Sequence, residues 1–488
     1  MSDSEQGPAG LAKRRAAVAT GIAGLDFVLD GGLPLGCPSL LRGGPGTGKT
    51  AIALNFLSYG LVHGEPSVLV TFDESPQALI GHAESLGLPL TEYIAAGKAK
   101  VLDMRPDPSD LNGGEALELT AILVRLEHAL DQVGGKRLVI DAIDAMDAAY
   151  GKSNNLRNEL ARVFDWIRER DLTTLITVGE TPDFNNRFGL EDYVADCVIL
   201  LRQEMMQRQM TRLLRVIKRR GGAHGTNEFP FLLDSNGVFL APITGLELYS
   251  SVSAEKQSTG IPGLDEMLGG GGPYRGSAVM VSGQSGTGKT SFAAHFACSA
   301  CAAGLPVLYL SFEESAAELV RNQSSIGLDL NKYLIDEAGD NVGGLNLRPI
   351  LPTEIGWEEH LLRIMRWVEQ IQPQVVVIDP VSALADKRWD GQGKEMLLRL
   401  FYMLKKAGMT VMATELIGDD KSGVSNLEVS SIIDVWIKLR REEHDYWMRR
   451  LLTVVKARGL PTSEHINEYS LTSTGIRVET GNDGGREY

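Results

Sequence analysis

Cysteine is scarce in this chain, with 4 among 488 residues. Two of them, Cys298 and Cys301, form a C-x-x-C motif inside the segment SFAAHFACSACAAG. Structural zinc sites take four nitrogen or sulfur ligands, commonly from two such pairs, and this sequence has no second pair. Small apolar residues around the motif are typical of a helix that packs closely on a sheet. We therefore predict that Cys298 and Cys301 are buried helix residues without a metal or redox role.

Long apolar runs and positive net charge are also missing. No hydrophobic stretch approaches the roughly 20 residues that a membrane helix needs. The first residues, MSDSEQGPAGLAKRR, contain no apolar signal core. Acidic residues number 63 against 48 Lys and Arg, a net charge of −15 that opposes non-specific attraction to nucleic acid or anionic membranes. We expect a cytoplasmic globular protein with a flexible N-terminal tail over residues 1–15.

The most informative feature that the chain does contain is a repeat. GGPGTGKT, which ends at Lys49-Thr50, returns as GQSGTGKT, which ends at Lys289-Thr290, a shift of 289 − 49 = 240. Other landmarks recur at shifts between 238 and 240. The chain is therefore predicted to hold two homologous lobes of about 240 residues, each large enough to bury its own core. The predicted boundaries are residues 16–240 for lobe 1, 241–258 for a linker, 259–478 for lobe 2 and 479–488 for a short C-terminal tail.

Within each lobe, strand-like and helix-like patterns alternate. The apolar runs PSLLR, SVLVTF, RLVID and TTLITV of lobe 1 are separated by segments with apolar residues at helical spacing, and lobe 2 repeats the order. This alternation predicts an α/β fold in which a mostly parallel sheet is covered by helices on both faces. Near the end of each lobe, two further runs such as CVILLR and MTRLLRVIKRR predict an antiparallel pair of strands.

Both glycine-rich segments fit G-x-x-x-x-G-K-[ST], follow a predicted strand and open a predicted helix, which is the context of a phosphate-binding P-loop. Their backbone N–H groups can surround nucleotide phosphates at the helix N-terminus. The lysine contacts the β- and γ-phosphates, and the threonine hydroxyl binds Mg²⁺. The predicted nucleotide-binding residues are Gly43, Gly46, Thr47, Gly48, Lys49 and Thr50 in lobe 1, and Gly283, Gly286, Thr287, Gly288, Lys289 and Thr290 in lobe 2.

An aspartate ends one aliphatic run in each lobe, Asp141 after RLVI and Asp379 after VVVI. Buried parallel strands deliver such a residue to the carboxyl edge of the sheet, where ligands bind. We predict that Asp141 and Asp379 organise Mg²⁺ together with Thr50 and Thr290. The alternative is an aspartate that serves only the turn after the strand.

Acidic pairs follow another predicted strand of each lobe, Asp73-Glu74 after SVLVTF and Glu313-Glu314 after PVLYLSF. A carboxylate at this edge can orient or deprotonate the nucleophile that attacks the γ-phosphate. A solvated acidic loop is the alternative. The pairs recur at the same offset as the P-loops, which favours catalysis.

Paired cations stand near the end of the second antiparallel run, Lys218 and Arg220 in lobe 1 and Lys456 and Arg458 in lobe 2. Alternation along a strand places each pair on one face, with Arg219 on the other. Two cations on one face suit a reach towards the γ-phosphate of a neighbouring subunit, in the manner of arginine fingers. The alternative is a solvated basic strand face.

The lobes differ at one further place, where LEDYVADC of lobe 1 aligns with LEVSSIID of lobe 2. Only lobe 2 carries adjacent hydroxyls there, Ser430 and Ser431. On the residues alone, serines before a strand are most often turn residues.

Together these motifs resemble the KaiC family, the double-lobed RecA-like ATPases and autokinases of circadian timing systems. The resemblance runs from TGIAGLD to about Val478 and rests on both P-loops, both acidic pairs, FEES, KRRGGAH and SSIID. It implies two tandem RecA-like P-loop NTPase domains that use ATP and Mg²⁺. It also implies a double-ring homohexamer with ATP at the subunit interfaces.

By position, the resemblance gives lobe 1 the role of a slow ATPase, with Asp73 in the place of a catalytic glutamate. In lobe 2 it makes Glu313 the general base of a reversible autophosphorylation, and Ser430 and Ser431 the acceptors. The four cations, Lys218, Arg220, Lys456 and Arg458, match interface residues that act in trans. The family has Ser-Thr at the acceptor pair where this chain has Ser-Ser, so the order of phosphorylation is open.

Partners also follow from the resemblance. A KaiB-like protein is expected on lobe 1. Only ETGNDGGREY follows Val478, so by this resemblance we expect the long tail that receives KaiA to be absent or truncated, and we do not expect regulation by KaiA. Two other functions stay open: a RecA/RadA-like DNA-dependent ATPase, which the acidic composition and the lack of a DNA-binding accessory domain disfavour, and a scaffold that binds ATP only for assembly.

Overall fold

The computed structural model describes residues 16–105, 119–143, 156–179, 194–206, 209–241, 253–335, 344–351, 357–384, 392–417, 431–444, 446–463 and 465–479. The chain divides into two compact units, Met1–Thr244, which contains lobe 1, and Gly245–Tyr488, which contains lobe 2. Among the described residues, no helix combines the length and the apolar character needed to cross a membrane.

Lobe 1 alternates strands and helices as the sequence predicts. Its strands are β1 (Ala17–Val18), β2 (Leu33–Pro34), β3 (Pro38–Gly43), β4 (Ser67–Thr71), β5 (Ala99–Asp103), β6 (Arg137–Asp141), β7 (Thr173–Gly179), β8 (Cys197–Met206), β9 (Gln209–Arg219), β10 (Glu228–Asp234) and β11 (Gly237–Leu240). Its helices are α1 (Ala23–Val28), α2 (Lys49–Val62), α3 (Pro76–Ser85), α4 (Leu90–Ala95), α5 (Leu119–Val133) and α6 (Leu156–Glu169).

Lobe 2 repeats this order. Its strands are β12 (Ala278–Gly283), β13 (Val307–Ser311), β14 (Leu345–Pro349), β15 (Val375–Asp379), β16 (Thr410–Leu416), β17 (Val435–His444), β18 (Trp447–Ala457), β19 (Asn467–Thr472) and β20 (Gly475–Glu479). Its α-helices are α7 (Pro262–Met267), α8 (Lys289–Ala302), α9 (Ala316–Ser324), α10 (Trp357–Ile371) and α11 (Gln392–Lys406), and 3₁₀ turns cover Leu330–Lys332 and Val381–Leu384.

Each lobe is built on one nine-stranded sheet. The order is β5-β4-β6-β7-β3-β8-β9-β10-β11 in lobe 1 and β14-β13-β15-β16-β12-β17-β18-β19-β20 in lobe 2, so the two sheets have the same topology. The six strands from β5 to β8, and their counterparts in lobe 2, run parallel. The remaining strands add on as antiparallel neighbours. The predicted mostly parallel sheet and the predicted antiparallel pair are therefore confirmed.

Helices cover both faces of the lobe 1 sheet, because side chains of its buried strands alternate between the faces. Leu69 and Val139 pack on one face with α2 and α3, in a core that includes Phe56. Val68 and Val70 pack on the opposite face, where α5 and α6 contribute their apolar residues. In lobe 2, α8 covers the equivalent face through Phe292 and its neighbours.

Cys298 and Cys301 lie in α8, as predicted. Cys301 is buried and Cys298 is half-buried, and both are free thiols. Burial raises the pKa of Cys298 to about 11 and that of Cys301 to about 12. Both thiols are therefore protonated and unreactive at neutral pH.

Some predicted features fall outside the described residues. These are the tail 1–15, the middle of the predicted linker, most of the C-terminal tail, and Ser430 of the acceptor pair. The described part of the acceptor segment begins at Ser431, which is exposed.

Candidate active site

The lobe 1 P-loop joins the carboxyl end of β3 to the first turn of α2. Gly48 caps α2 in the left-handed conformation, with φ of 100°, which a residue with a side chain rarely adopts. Lys49 Nζ donates to the carbonyl oxygens of Gly43 at 2.7 Å and Gly44 at 3.0 Å. Thr47 Oγ1 also donates to Gly44 O, at 2.8 Å. The loop is therefore closed around its own lysine, with amide groups at the helix N-terminus.

The lobe 2 P-loop has the same geometry between β12 and α8. Lys289 Nζ and Thr287 Oγ1 each donate to Gln284 O at 2.8 Å, and Gly288 takes the left-handed conformation with φ of 90°. Burial lowers the pKa of Lys289, and the charges of Asp379 and Glu313 oppose that shift. The lysine therefore lies within the field of two of the predicted catalytic or metal-binding carboxylates.

Asp141 and Asp379 both lie at the carboxyl end of their strands, directly beside the P-loops. Thr50 Oγ1 donates to Asp141 Oδ2 at 3.1 Å, and the hydroxyl of Thr177 donates to Oδ1. In lobe 2 the hydroxyl of Thr414 donates to Asp379 Oδ1. Both aspartates are largely buried, so they are held by hydrogen bonds rather than by water.

One member of the acidic pair of lobe 1, Glu74, lines a cavity of about 590 Å³, a volume typical of small-molecule sites. Lys49, Thr50 and Glu74 line it, with His82 of α3. Thr71 Oγ1 donates to Glu74 O at 2.7 Å, which fixes the turn after β4. Glu74 Oε2 lies 3.3 Å from His82 Nδ1, and Asp73 is exposed.

The acidic pair of lobe 2 has a matching turn but a different partner. Ser311 Oγ donates to Glu314 O at 2.6 Å, and Asn322 Nδ2 donates to Glu314 Oε1 at 3.3 Å. Burial raises the pKa of Glu314, and the Asn322 hydrogen bond opposes the shift. Among the described residues, Glu314 Oε2 is buried with no hydrogen-bond partner. Glu313 is exposed at the same edge.

Oxygen atoms at this edge fit a hard cation. Mg²⁺ takes oxygen ligands and keeps several of its waters. Thr50 and Asp141 already share a hydrogen bond in lobe 1, and the unpartnered Oε2 of Glu314 in lobe 2 can accept from a metal-bound water. When bound, Mg²⁺ neutralises charge on the phosphates.

The predicted cations and Ser431 lie at the amino ends of the parallel strands, the edge of the sheet opposite the P-loops. Strand β17 begins at Val435, which pairs with Val279 near the start of β12, whereas Leu439 pairs with Gly283 at the P-loop end. Four residue steps separate these pairs, about 13 Å of strand. Ser431 lies four residues before Val435, the first residue of β17, and Lys456 is the last residue but one of its partner β18. Lobe 1 has the same arrangement around Asp196.

One prediction about the cations is wrong. The sequence placed Lys218 with Arg220, and Lys456 with Arg458, on one strand face. The strands end at Arg219 and Ala457 instead, so Arg220 and Arg458 lie in the following turns. The backbone N–H of each arginine still donates to the carbonyl of the aspartate that precedes the partner strand, Arg220 to Asp196 at 2.8 Å and Arg458 to Asp434 at 2.9 Å.

In lobe 2 the two cations contact the acceptor segment of their own lobe. Arg458 Nη2 donates to Ser431 O at 2.9 Å, and Lys456 Nζ donates to Ile433 O at 2.8 Å. Asp434 pairs with Lys405 at 2.6 Å and approaches Arg458 at 3.7 Å. Burial, followed by the charge of Arg458, lowers the pKa of Lys456.

Several residues at the sites were not predicted from the sequence. Gln203 Nε2 donates to Gly46 O at 2.6 Å, and Tyr469 OH donates to Thr287 O at 2.5 Å. Tyr309 OH donates to Asp379 Oδ2 at 2.8 Å. The hydroxyls of Thr177 and Thr414 had a usable signal, because they recur at the same place in matching strands.

Two P-loops at the carboxyl edges of two mostly parallel sheets define a P-loop NTPase with two tandem RecA-like domains. A family model described as "ATPase: KaiC" matches residues 18–244 and again 257–483. The chain belongs to the KaiC family. Membership supports a KaiC-like ATPase function and the use of ATP.

Relatives cover most of the chain. It is 39% identical over 462 residues to "Circadian clock protein KaiC2" of Synechocystis sp. (strain ATCC 27184 / PCC 6803 / Kazusa), across 94% of this chain and 80% of the relative. It is 32% identical to "Circadian clock oscillator protein KaiC" of Parathermosynechococcus lividus, across 94% and 84%. It is 31% identical to "Circadian clock protein KaiC3" of the same Synechocystis strain, across 94% and 91%.

Proposed function

We propose that this protein is an ATPase and ATP-dependent serine autokinase that assembles as a homohexamer and whose phosphorylation state signals to a partner. Family membership supports the ATPase part. The autokinase part rests on the sequence of lobe 2, which contains a P-loop, an acidic pair and the adjacent hydroxyl residues Ser430 and Ser431. Autophosphatase activity follows if the same site runs the transfer in reverse.

The observation that carries the proposal is the separation of the reacting groups within each lobe. Nucleotide-binding residues lie at the carboxyl edge of the sheet, and Ser431, Lys456 and Arg458 lie at the amino edge, about 13 Å of strand away. Transfer from ATP to serine therefore requires a second copy of the chain. A head-to-tail contact that repeats with a closing rotation produces a ring.

In lobe 2 the chemistry is a phosphoryl transfer between protomers. A serine oxygen attacks the γ-phosphorus, the bond to the β,γ-bridging oxygen breaks and ADP leaves. Glu313 takes the hydroxyl proton. Lys289 would hold the β- and γ-phosphates, Thr290 and Asp379 would hold a magnesium ion that neutralises phosphate charge, and Lys456 and Arg458 of the adjoining copy would neutralise charge on the transferring group.

In lobe 1 the nucleophile is water. Glu74 lines the cavity with Lys49 and Thr50, and Asp73 is the exposed residue before it. Either carboxylate can orient the attacking water. Asp73 is one methylene shorter than Glu313, so its reach to the nucleophile differs from that in lobe 2. Lys218 and Arg220 of the adjoining copy neutralise charge on the γ-phosphate, as Lys456 and Arg458 do in lobe 2.

The partner assignment rests on family membership alone. We propose a KaiB-like protein on lobe 1. We do not propose KaiA as a partner.

Phosphopeptide mapping after incubation with Mg-ATP tests the kinase assignment. We expect γ-labelled ATP to label the peptide that contains Ser430 and Ser431. The double variant Ser430→Ala with Ser431→Ala should lose this label and still release phosphate, because lobe 1 retains its nucleotide site.

The control for general serine labelling is the pair Ser324→Ala and Ser325→Ala at the end of α9, which should keep the label. If an intact hexamer hydrolyses ATP but no serine is labelled, the ATPase assignment stands and the kinase assignment is wrong. Strong stimulation of hydrolysis by single-stranded DNA would favour a DNA-dependent motor instead.

A further inference from the structure

The magnesium-organising aspartates of the two lobes differ in one hydrogen bond. Both accept a threonine hydroxyl at Oδ1, from Thr177 in lobe 1 and Thr414 in lobe 2. In lobe 1, Oδ2 of Asp141 accepts from Thr50 of the P-loop at 3.1 Å. In lobe 2, Oδ2 of Asp379 accepts from Tyr309 at 2.8 Å. The second oxygen is thus tied to the P-loop in lobe 1 and to the sheet in lobe 2.

Tyr309 is built into the core of lobe 2. It lies at the centre of β13, is 0% exposed and packs in the cluster that includes Phe292 of α8 and Val377 of β15. The matching residue of lobe 1, at a shift of 309 − 69 = 240, is Leu69, which has no hydroxyl. The tyrosine therefore fills the place of a core aliphatic residue and adds one polar atom at the site.

The direction of this hydrogen bond is fixed. A phenol carries one O–H donor and an ionised carboxylate can only accept, so Tyr309 donates and Asp379 accepts. Asp379 is itself only 6% exposed, so water competes little for this oxygen and the bond to a charged acceptor is of the stronger kind.

We propose that Tyr309 is a positioning residue of lobe 2, which holds Asp379 in a fixed orientation so that its free lone pairs face the magnesium of bound Mg-ATP. The inference rests on the proposed function, because it requires magnesium at that site. A carboxylate offers about four lone-pair positions. Tyr309 and Thr414 fill two, which leaves about two that can accept from a metal-bound water.

The consequence is a difference between the lobes in their use of magnesium. In lobe 1 the second carboxylate oxygen of Asp141 accepts from Thr50, which is itself a proposed metal ligand. In lobe 2 the orientation of Asp379 is set beforehand by the sheet. Preorganised groups lose less freedom when the ligand binds, so lobe 2 should take up Mg-ATP at lower free magnesium than it would without Tyr309.

The test is a magnesium titration of nucleotide binding in the full-length chain. Lys49→Ala prevents nucleotide binding to lobe 1, and a fluorescently labelled ATP analogue reports binding to lobe 2 with and without EDTA. Adding Tyr309→Phe should raise the magnesium concentration at half-saturation about tenfold, the effect of one hydrogen bond to a charged group. Affinity for the analogue in EDTA should stay unchanged. Tyr274→Phe, a partly buried tyrosine of the same lobe, is the control and should change neither value.

The outcomes separate this inference from the proposed function. If the Lys49→Ala parent binds the analogue equally with and without magnesium, the metal assignment of lobe 2 is wrong and the role of Tyr309 falls with it. If the parent depends on magnesium but Tyr309→Phe leaves the midpoint unchanged, only the role of Tyr309 is wrong. Equal weakening with and without magnesium, or a lower thermal unfolding midpoint with an unchanged magnesium midpoint, would make Tyr309 a packing residue and also overturn the inference.

Discussion

Two adjacent glycines at the start of the lobe 1 P-loop have different surroundings. A Cβ at Gly43 would lie 2.7 Å from Thr47 Oγ1 and 2.8 Å from the backbone oxygen of Leu201, whereas a Cβ at Gly44 would meet nothing within 4 Å. Overpacking of a closed site costs about 1–3 kcal/mol. The first glycine is therefore required by close packing of the loop on β8, and the second is not.

We expect Gly43→Ala to weaken nucleotide binding to lobe 1 by about tenfold, because the loop must shift before the phosphates fit. Gly44→Ala is the matched control and should bind within about twofold of the parent, a difference well below 1 kcal/mol. Lys289→Ala in the background confines binding of a labelled ATP analogue to lobe 1. Equal affinities for the two alanine variants would show that the close contact at Gly43 does not restrain the loop.

At the scale of single residues, the sequence predicts the P-loops and the strand-ending aspartates well, because fixed spacing places them. It does not predict which hydrogen bond each one makes. Tyr309 and Leu69 both occur in apolar strand patterns, so the pattern indicates a core position for either. Only the packed strands reveal that the phenol reaches Asp379 while the leucine ends in the core.

At the scale of elements, the C-terminal hairpin of lobe 2 is held by a histidine of the P-loop helix. Ile476 N, on β20, donates to His295 Nε2 at 3.0 Å, so the imidazole must be neutral at that nitrogen. Burial lowers the pKa of His295 to about 4. The matching residue in lobe 1 is Asn55, which does not titrate.

This hairpin should loosen on acidification. The unfolded chain takes up the proton near pH 6.5 and the folded chain only near pH 4, so the stability that neutral His295 provides is complete above pH 6.5 and falls as the pH drops towards 4. At pH 5 the loss is about 2 kcal/mol. After correction for intrinsic rates, amides of β19 and β20 should exchange with solvent about 30-fold faster at pH 5 than at pH 7.

The β10–β11 hairpin of lobe 1 provides an internal control for this measurement, because Asn55 stands in the equivalent place. His295→Asn should make the lobe 2 hairpin as insensitive to pH as its lobe 1 counterpart. A hairpin whose protection does not change between pH 7 and pH 5 in the parent chain would contradict the role of His295.

The strands that the sequence leaves unpredicted include β5 at one edge of the lobe 1 sheet and β10 next to the other edge. The core strands β3, β4, β6 and β7 have apolar runs that are unambiguous because both faces are buried. The edge strand β5 reads AKVLD, and β10 contains Pro230, so neither has the run or the alternation of a central strand. The alternation of residues in the sequence also does not show at which residue a strand ends. For this reason the sequence pattern placed Arg220 and Arg458 on strands.

At the scale of the whole molecule, the proposed reaction is divided between copies of the chain. One copy supplies ATP, Lys289 and Glu313 at the carboxyl edge of its lobe 2 sheet. The next copy supplies the acceptor serines, and its Ser431, Lys456 and Arg458 lie at the amino edge. A substitution on either side should therefore inactivate one copy as a donor or as an acceptor, but not both.

Complementation between two inactive variants measures this division. Glu313→Gln keeps the serines and the nucleotide site but lacks the base, so we expect it to bind ATP and acquire no phosphoserine. The Ser430→Ala, Ser431→Ala variant keeps the base but has no acceptor.

When the two are mixed without nucleotide and then assembled with Mg-ATP, label should appear on the serines of the Glu313→Gln copies. With random mixing at equal amounts, about half of those copies adjoin an active donor on the relevant side, so labelling should reach about half that of the parent per Glu313→Gln copy, or about a quarter per total chain. Assembly must be verified by mass in the same sample. Mixed oligomers that form and yet stay unlabelled would contradict transfer across the protomer boundary, and label on Glu313→Gln alone would exclude Glu313 as the base.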